Sequence, residues 1–128
     1  LREFHRHAGA QVTPQFEVRD AQGRFVARGD LRLGSAPVLH EYDGEVHRTI
    51  AQHRADLLRE RRLQAMGWTR RGYTSQDLLH RPAVLLRDID RTLGRPHSPA
   101  RLTAWRAALR TPTLAQSGRA RTWPRLAP

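Results

Sequence analysis

The spacing of apolar residues changes period several times along the chain, and each change marks an element. Leu1, Phe4 and Ala8 recur at helical spacing before Gly9, which predicts the end of a helix over residues 1 to 8. From Phe16 to Asp20, Phe and Val alternate with Glu and Arg, the pattern of a half-buried strand. Asp20-Ala21-Gln22-Gly23 reads as a turn and Phe25 to Leu33 as a longer strand, so the pair predicts a hairpin. Strict alternation puts Phe25, Ala27, Gly29, Leu31 and Leu33 on one face, and Val26, Arg28, Asp30 and Arg32 on the other. After the turn Gly34-Ser35-Ala36-Pro37, Val38 to Asp43 predicts a third strand and completes an antiparallel meander.

The period then becomes helical. Ile50, Leu57, Leu58, Ala65 and Met66, at three- and four-residue spacings, predict a helix over residues 50 to 66, stopped by Gly67. Trp68 to Tyr73 reads as a short strand. Thr74 is placed to cap a turn of helix through Leu79, and Pro82 to open a helix that runs to Leu93 before Gly94. Ser98-Pro99 predicts the start of a last short helix carrying Leu102, Trp105, Ala108 and Leu109. Beyond Arg110 no period is visible, and the segment reads as loop or tail. The expected fold class is α/β: a three-strand antiparallel meander, a helix, a fourth strand that pairs back into the sheet, and a helix. Residues 1–94 are expected to form the domain, and residues 95–128 a basic C-terminal helix and tail.

Composition narrows the class. A chain of 128 residues has room for one domain, and its lack of cysteine excludes disulfides, thiolate zinc sites and a cysteine nucleophile. Mean hydropathy is −0.70 and no stretch approaches the roughly 20 apolar residues of a membrane span. The first residues do not read as a signal peptide, and Leu1 is expected to begin inside a longer native chain. The net charge is +11, carried entirely by arginine among the basic residues. Residues 95–128 hold seven arginines and no acid, whereas residues 1–94 hold sixteen arginines against all twelve acids. A basic tail suits nucleic acid or an acidic surface; a solvated tail is the plain alternative.

Against that background the acids are informative. Asp30, Glu41, Asp43 and Glu45 fall within sixteen residues of a basic chain. Glu41 and Asp43, two apart on a strand, leave the same face, with Asp30 near the end of the adjoining strand. Crowded carboxylates repel, and a hard divalent cation bound through oxygen removes that cost. One or two carboxylates holding such an ion is a common way of assisting phosphodiester cleavage. Gly44 permits a turn that would return His47 over the carboxylates as a general acid or base. The alternative is a set of surface carboxylates balancing nearby arginines.

As a set, these residues resemble a known family. Asp30, the run Glu41-Tyr42-Asp43-Gly44-x-x-His47, the helix Arg54-Ala55-Asp56-x-x-Arg59 and Leu63-Gln64-Ala65-Met66-Gly67-Trp68 look like the endonuclease-related domain-of-unknown-function family 559. That family is similar to the very-short-patch mismatch-repair endonucleases of the PD-(D/E)xK nuclease superfamily, and the resemblance spans roughly residues 12 to 93. It implies a restriction-endonuclease-like core and Mg²⁺ (or Mn²⁺) held by Asp30 and Glu41. Asp43 stands where the wider superfamily usually has a lysine but the family pattern, like this chain, has an acid, and it would complete or tune the metal shell. His47 becomes the candidate to replace that lysine. Arg59 would steady the scissile phosphate, and Asp56 would orient it or His47. The family pattern also carries an acid on the preceding helix, which alignment places just upstream of Leu1.

The remaining motifs add less. His40, His47 and His53 do not have zinc-motif spacing. Arg48, Arg54, Arg59, Arg61 and Arg62 form a candidate phosphate track on the long helix, with a solvated face as the alternative. Trp105 reads as packing rather than as a base-stacking platform. The expected function is therefore a cytoplasmic, metal-dependent DNA endonuclease with DNA as partner and no membrane contact. The alternative is a nuclease-fold DNA-binding or regulatory module that does not cut, including the C-terminal part of an antitoxin-like regulator.

Overall fold

A computed structural model of the chain describes residues 1–44 and 49–111. Its elements are α1 (Arg2–His7), β1 (Val12–Arg19), β2 (Phe25–Leu33), β3 (Val38–Tyr42), α2 (Ile50–Ala65), β4 (Thr69–Tyr73), α3 (Ser75–His80), α4 (Pro82–Leu93) and α5 (Arg101–Arg110). The strands lie in sequence order in one sheet, with β1–β2 and β2–β3 antiparallel and β3–β4 parallel. A parallel neighbour requires a crossover, and α2 supplies it. The mixed α/β class and the returning fourth strand agree with the sequence pattern.

Two apolar clusters sit on the two faces of the sheet. The larger joins Leu1 and Phe4 of the α1 region, Leu31 and Leu33 of β2, Tyr73 of β4, Leu78, Leu85, Leu86 and Ile89 of α3 and α4, and Leu102 and Trp105 of α5. Trp105 packs edge-on against Phe4 and donates its indole N–H to the Leu78 carbonyl at 3.0 Å, so its role is packing. The smaller cluster, on the other face, is built by Val18, Val26, Ala27, Leu39 and Leu63, with Phe16 and Trp68 against it. Arg32 lies over the Phe16 ring at 4.6 Å and covers its edge.

Local chemistry sets most boundaries. Thr49 with Gln52, and Thr74 with Asp77, form reciprocal capping boxes at the starts of α2 and α3. Pro82 opens α4, and Gly94 closes it in the left-handed conformation. β1 begins at Val12 rather than at Phe16, because Pro14 is tolerated on an edge strand.

Two faces depart from the predicted pattern. The β1–β2 ladder pairs Pro14 with Leu31 and Phe16 with Gly29 but skips the position between, where Gln15 takes φ 51. Alternation slips at that kink: Ala27 joins the cluster around Leu63, whereas Leu31 and Leu33 join the cluster around Phe4. The predicted single face of β2 is therefore broken, and Asp30 sits at the break. The glycine beside it is explained by packing, since a Cβ on Gly29 would meet Leu39 Cδ2 at 2.8 Å.

α2 also turns the unexpected way. Ile50, Leu57 and Leu58 are 77%, 49% and 59% exposed, and Leu63 is the one residue of the helix that is buried. The sheet beneath offers one apolar pit, around Leu39, and Leu63 fills it. Asp56, Arg59 and Glu60, which precede Leu63 by seven, four and three residues along the helix, are its half-buried positions, so α2 presents charge towards the sheet.

Two polar assemblies fasten the larger cluster. Asp90 is 2% exposed and accepts hydrogen bonds from Arg95 Nε at 2.6 Å, His97 Nδ1 at 3.0 Å and Arg101 Nη1 at 3.0 Å. Arg95 also donates to the carbonyls of Ala8 and Gly9, tying the end of α4 to the loop before β1. Burial acts to raise the Asp90 pKa, but the Arg95 and His97 bonds outweigh it and hold the carboxyl below its usual range. In the second assembly, His5 Nδ1 bonds the Leu1 carbonyl, so its Nε2 is the acceptor in the 2.9 Å bond from His40 Nδ1. Burial lowers both pKa values, to about 4 for His5 and about 2 for His40. Among the described residues no helix is long and apolar enough to cross a membrane.

Candidate functional site

The predicted acids meet where β2, β3 and β4 lie side by side. Asp30 is 4% exposed and its Oδ2 accepts the Tyr42 backbone N–H at 2.8 Å, while Oδ1 is buried without a partner among the described residues. Burial raises its pKa, against the Tyr42 bond, and the charge of Asp43 adds to the rise. Glu41 is 7% exposed on β3; burial raises its pKa too, opposed by Arg70 and Arg59 and reinforced by Asp30. Glu41 therefore senses the charge of Asp30, and Asp30 that of Asp43, the relation expected of acids that serve one site.

Asp43 follows β3, anchored by its N–H to the Tyr73 carbonyl at 2.8 Å. Parallel register sets Glu41 beside Gly72 and Leu39 beside Arg70. Glycine at 72 is required by space: a Cβ there would collide with the Asp43 carboxylate, which lies over the β4 backbone. Arg70 fills the gap between the strands, with Nη2 paired to Glu41 Oε2 and 3.6 Å from Asp43 Oδ1. Its Nε is buried and unpartnered among the described residues.

α2 brings Arg59 to the same side of the sheet, close enough to act on Glu41, and Asp56 pairs with Arg59 at 3.6 Å. The predicted phosphate track is divided. Arg59 turns towards the acids, whereas Arg54 and Arg61, seven residues apart, flank Leu57 and Leu58 around a shallow cavity of about 270 Å³ on the helix. Arg62 is exposed between these two directions. The physical reason is rotational: at 100° per residue, positions 54, 59, 61 and 62 cannot share one stripe. His47 and Arg48 lie outside the described residues.

Sequence reasoning missed Arg70. The signal was available in the alternation of β4, where Arg70 and Gly72 share the face that the parallel neighbour also turns towards Glu41. His40, the neighbour of Glu41, points to the opposite side and is absorbed by its pair with His5.

The donor atoms are carboxylate oxygens, which hard divalent cations prefer, and Asp30 Oδ1 meets no hydrogen-bond donor among the described residues. Both features fit Mg²⁺ or Mn²⁺. Among the described residues no group of three or more ligating side chains is arranged to hold a metal ion. An ion here would be held by one or two carboxylates, with waters or substrate oxygens completing its shell, as is usual for Mg²⁺. Comparison with family models, with curated proteins and with solved structures finds no match to this chain.

Proposed function

We propose that the protein is a metal-dependent DNA endonuclease with a restriction-endonuclease-like core, acting in the cytoplasm. The observation that carries this reading is the pair Asp30 and Glu41: buried carboxylates on adjoining strands, both with pKa raised by burial, and Glu41 further by the charge of Asp30. A buried polar atom without a partner is costly, and Asp30 Oδ1, which has none among the described residues, is such an atom at a candidate site. The resemblance of the Glu41–His47 run and of the Asp56–Arg59 helix to the nuclease family supports the same reading.

Asp30 and Glu41 would hold Mg²⁺ or Mn²⁺, and Asp43 would tune the shell. A divalent cation supplies Lewis-acid polarisation of the phosphodiester and lowers the pKa of bound water. Arg59 is positioned to hold a phosphate oxygen, with Asp56 fixing its guanidinium. His47 follows Gly44 by three residues and is assigned the proton transfer. Arg48, Arg54, Arg61 and Arg62 would contribute sequence-independent backbone contacts, weakened by salt.

One observation favours a second reading, a nuclease-fold DNA-binding module that does not cut: Glu41 is already engaged by Arg70. Supercoiled plasmid incubated with the full chain and Mn²⁺ separates the two. We expect nicking that falls at least about a hundredfold in Asp30→Asn and in Glu41→Gln. Equal nicking by all three proteins, or by none, overturns the cutting reading.

A further inference from the structure

The carboxylate cluster has one close counter-charge. Arg70 reaches Glu41 and Asp43 from β4, and Asp30 has no cationic side chain in hydrogen-bond or ion-pair contact among the described residues. Among the described residues two carboxylates therefore share one guanidinium, while Asp30 feels Arg70, and Glu41 feels Arg59, from further away. The arrangement is built rather than incidental. Gly72 leaves open the space that the Asp43 carboxylate occupies on its way to Arg70, so two positions of β4 cooperate to bring the guanidinium and the carboxylates together. Yet the fit is incomplete on both sides. Among the described residues Asp30 Oδ1 lacks a donor and Arg70 Nε lacks an acceptor, although both are buried.

A guanidinium and a divalent cation cannot both sit against the same Glu41 oxygens, since like charges at such range repel strongly. Resting on the metal reading above, we propose that Arg70 is the resident counter-cation of this cluster and competes with the divalent metal for Glu41. It stabilises the carboxylates in the metal-free protein, and metal entry at Asp30 and Glu41 displaces it. Arg70 is thus a positioning residue that sets the metal affinity of the site. The residual negative charge of the cluster, left uncompensated by Arg70 alone, is what favours the exchange.

Calorimetric titration of the full chain with Mn²⁺ tests the competition without any reliance on activity. Arg70→Gln is expected to bind Mn²⁺ about tenfold more tightly than the wild type, because a repelling charge and a competitor are removed together. Adding Asp30→Asn to Arg70→Gln is expected to abolish that binding. A second measurement uses the wild type, so the test does not depend on the variant folding. During titration with diamagnetic Ca²⁺, the Arg70 Nε–Hε resonance should move towards its position in Glu41→Gln. If the wild type binds metal but Arg70→Gln binds no more tightly, or the Arg70 resonance stays fixed at saturation, the competition is overturned and the metal site survives. If neither protein binds Mn²⁺, the metal reading itself is overturned.

Discussion

Asp90→Ala is expected to destabilise the fold by about 3–5 kcal/mol, the scale found when one partner of a buried ion pair is removed. Three donors converge on this carboxylate, and alanine leaves Arg95, His97 and Arg101 facing an empty space. The loss would spread, because Arg95 joins the end of α4 to the carbonyls of Ala8 and Gly9, and Arg101 lies in the first turn of α5. Asp90→Asn should be milder, since the amide oxygen still accepts one or two of the three bonds while the charge is lost. Urea denaturation followed by circular dichroism measures both. A loss below about 1 kcal/mol for alanine, the value of an exposed pair, would show that the cluster does not fasten these elements.

Acid should unfold the domain well before ordinary carboxylates titrate, because of His5 and His40. Both are fully buried and neutral, and burial has lowered their pKa values to about 4 and about 2. The unfolded chain protonates histidine near pH 6.5. Between that value and the folded pKa, the unfolded state binds more protons, so stability rises with pH and falls as pH drops. The contribution is complete above about pH 6.5. Below it, each histidine costs up to about 1.4 kcal/mol per pH unit, His5 until about pH 4 and His40 further down. The groups facing the pair do not compensate: Tyr73 is neutral and Arg71 is cationic. Asp30 and Glu41 act in the opposite sense, since their raised pKa values favour the folded state as they take up protons, but only near the carboxylate range. Stability measured from pH 7 to pH 4.5 should therefore fall steeply in the wild type and much less in a folded His40→Leu variant. A flat profile in the wild type would contradict the neutral buried pair.

The order of elements was legible because its signals are local. Thr49, Thr74, Pro82 and Gly94 act on their own helix ends, and alternation identifies a strand wherever one side is buried. What failed was orientation, which depends on contacts between distant residues. Nothing near Leu57 reveals that the surface beneath α2 is charged and that Ile50, Leu57 and Leu58 stay exposed. Nothing near Asp30 announces the kink at Gln15, fifteen positions earlier, which ends the alternation. The acids of the candidate site were visible as a local excess of negative charge. Their counter-ion was not, because Arg70 is one arginine among 23 and acquires its meaning only through the parallel pairing of β4 with β3. The same holds for His5, whose partner lies 35 residues away.

The central claim is that Asp30 and Glu41 together hold a divalent cation. Crystals of the full chain soaked in Mn²⁺ and measured at a wavelength where manganese scatters anomalously test it directly. The account predicts a peak about 2.0–2.3 Å from Asp30 Oδ1 and from a Glu41 carboxylate oxygen, with Arg70 withdrawn from Glu41. A saturating soak that leaves the Arg70–Glu41 pair intact, with no peak at Asp30, would contradict it.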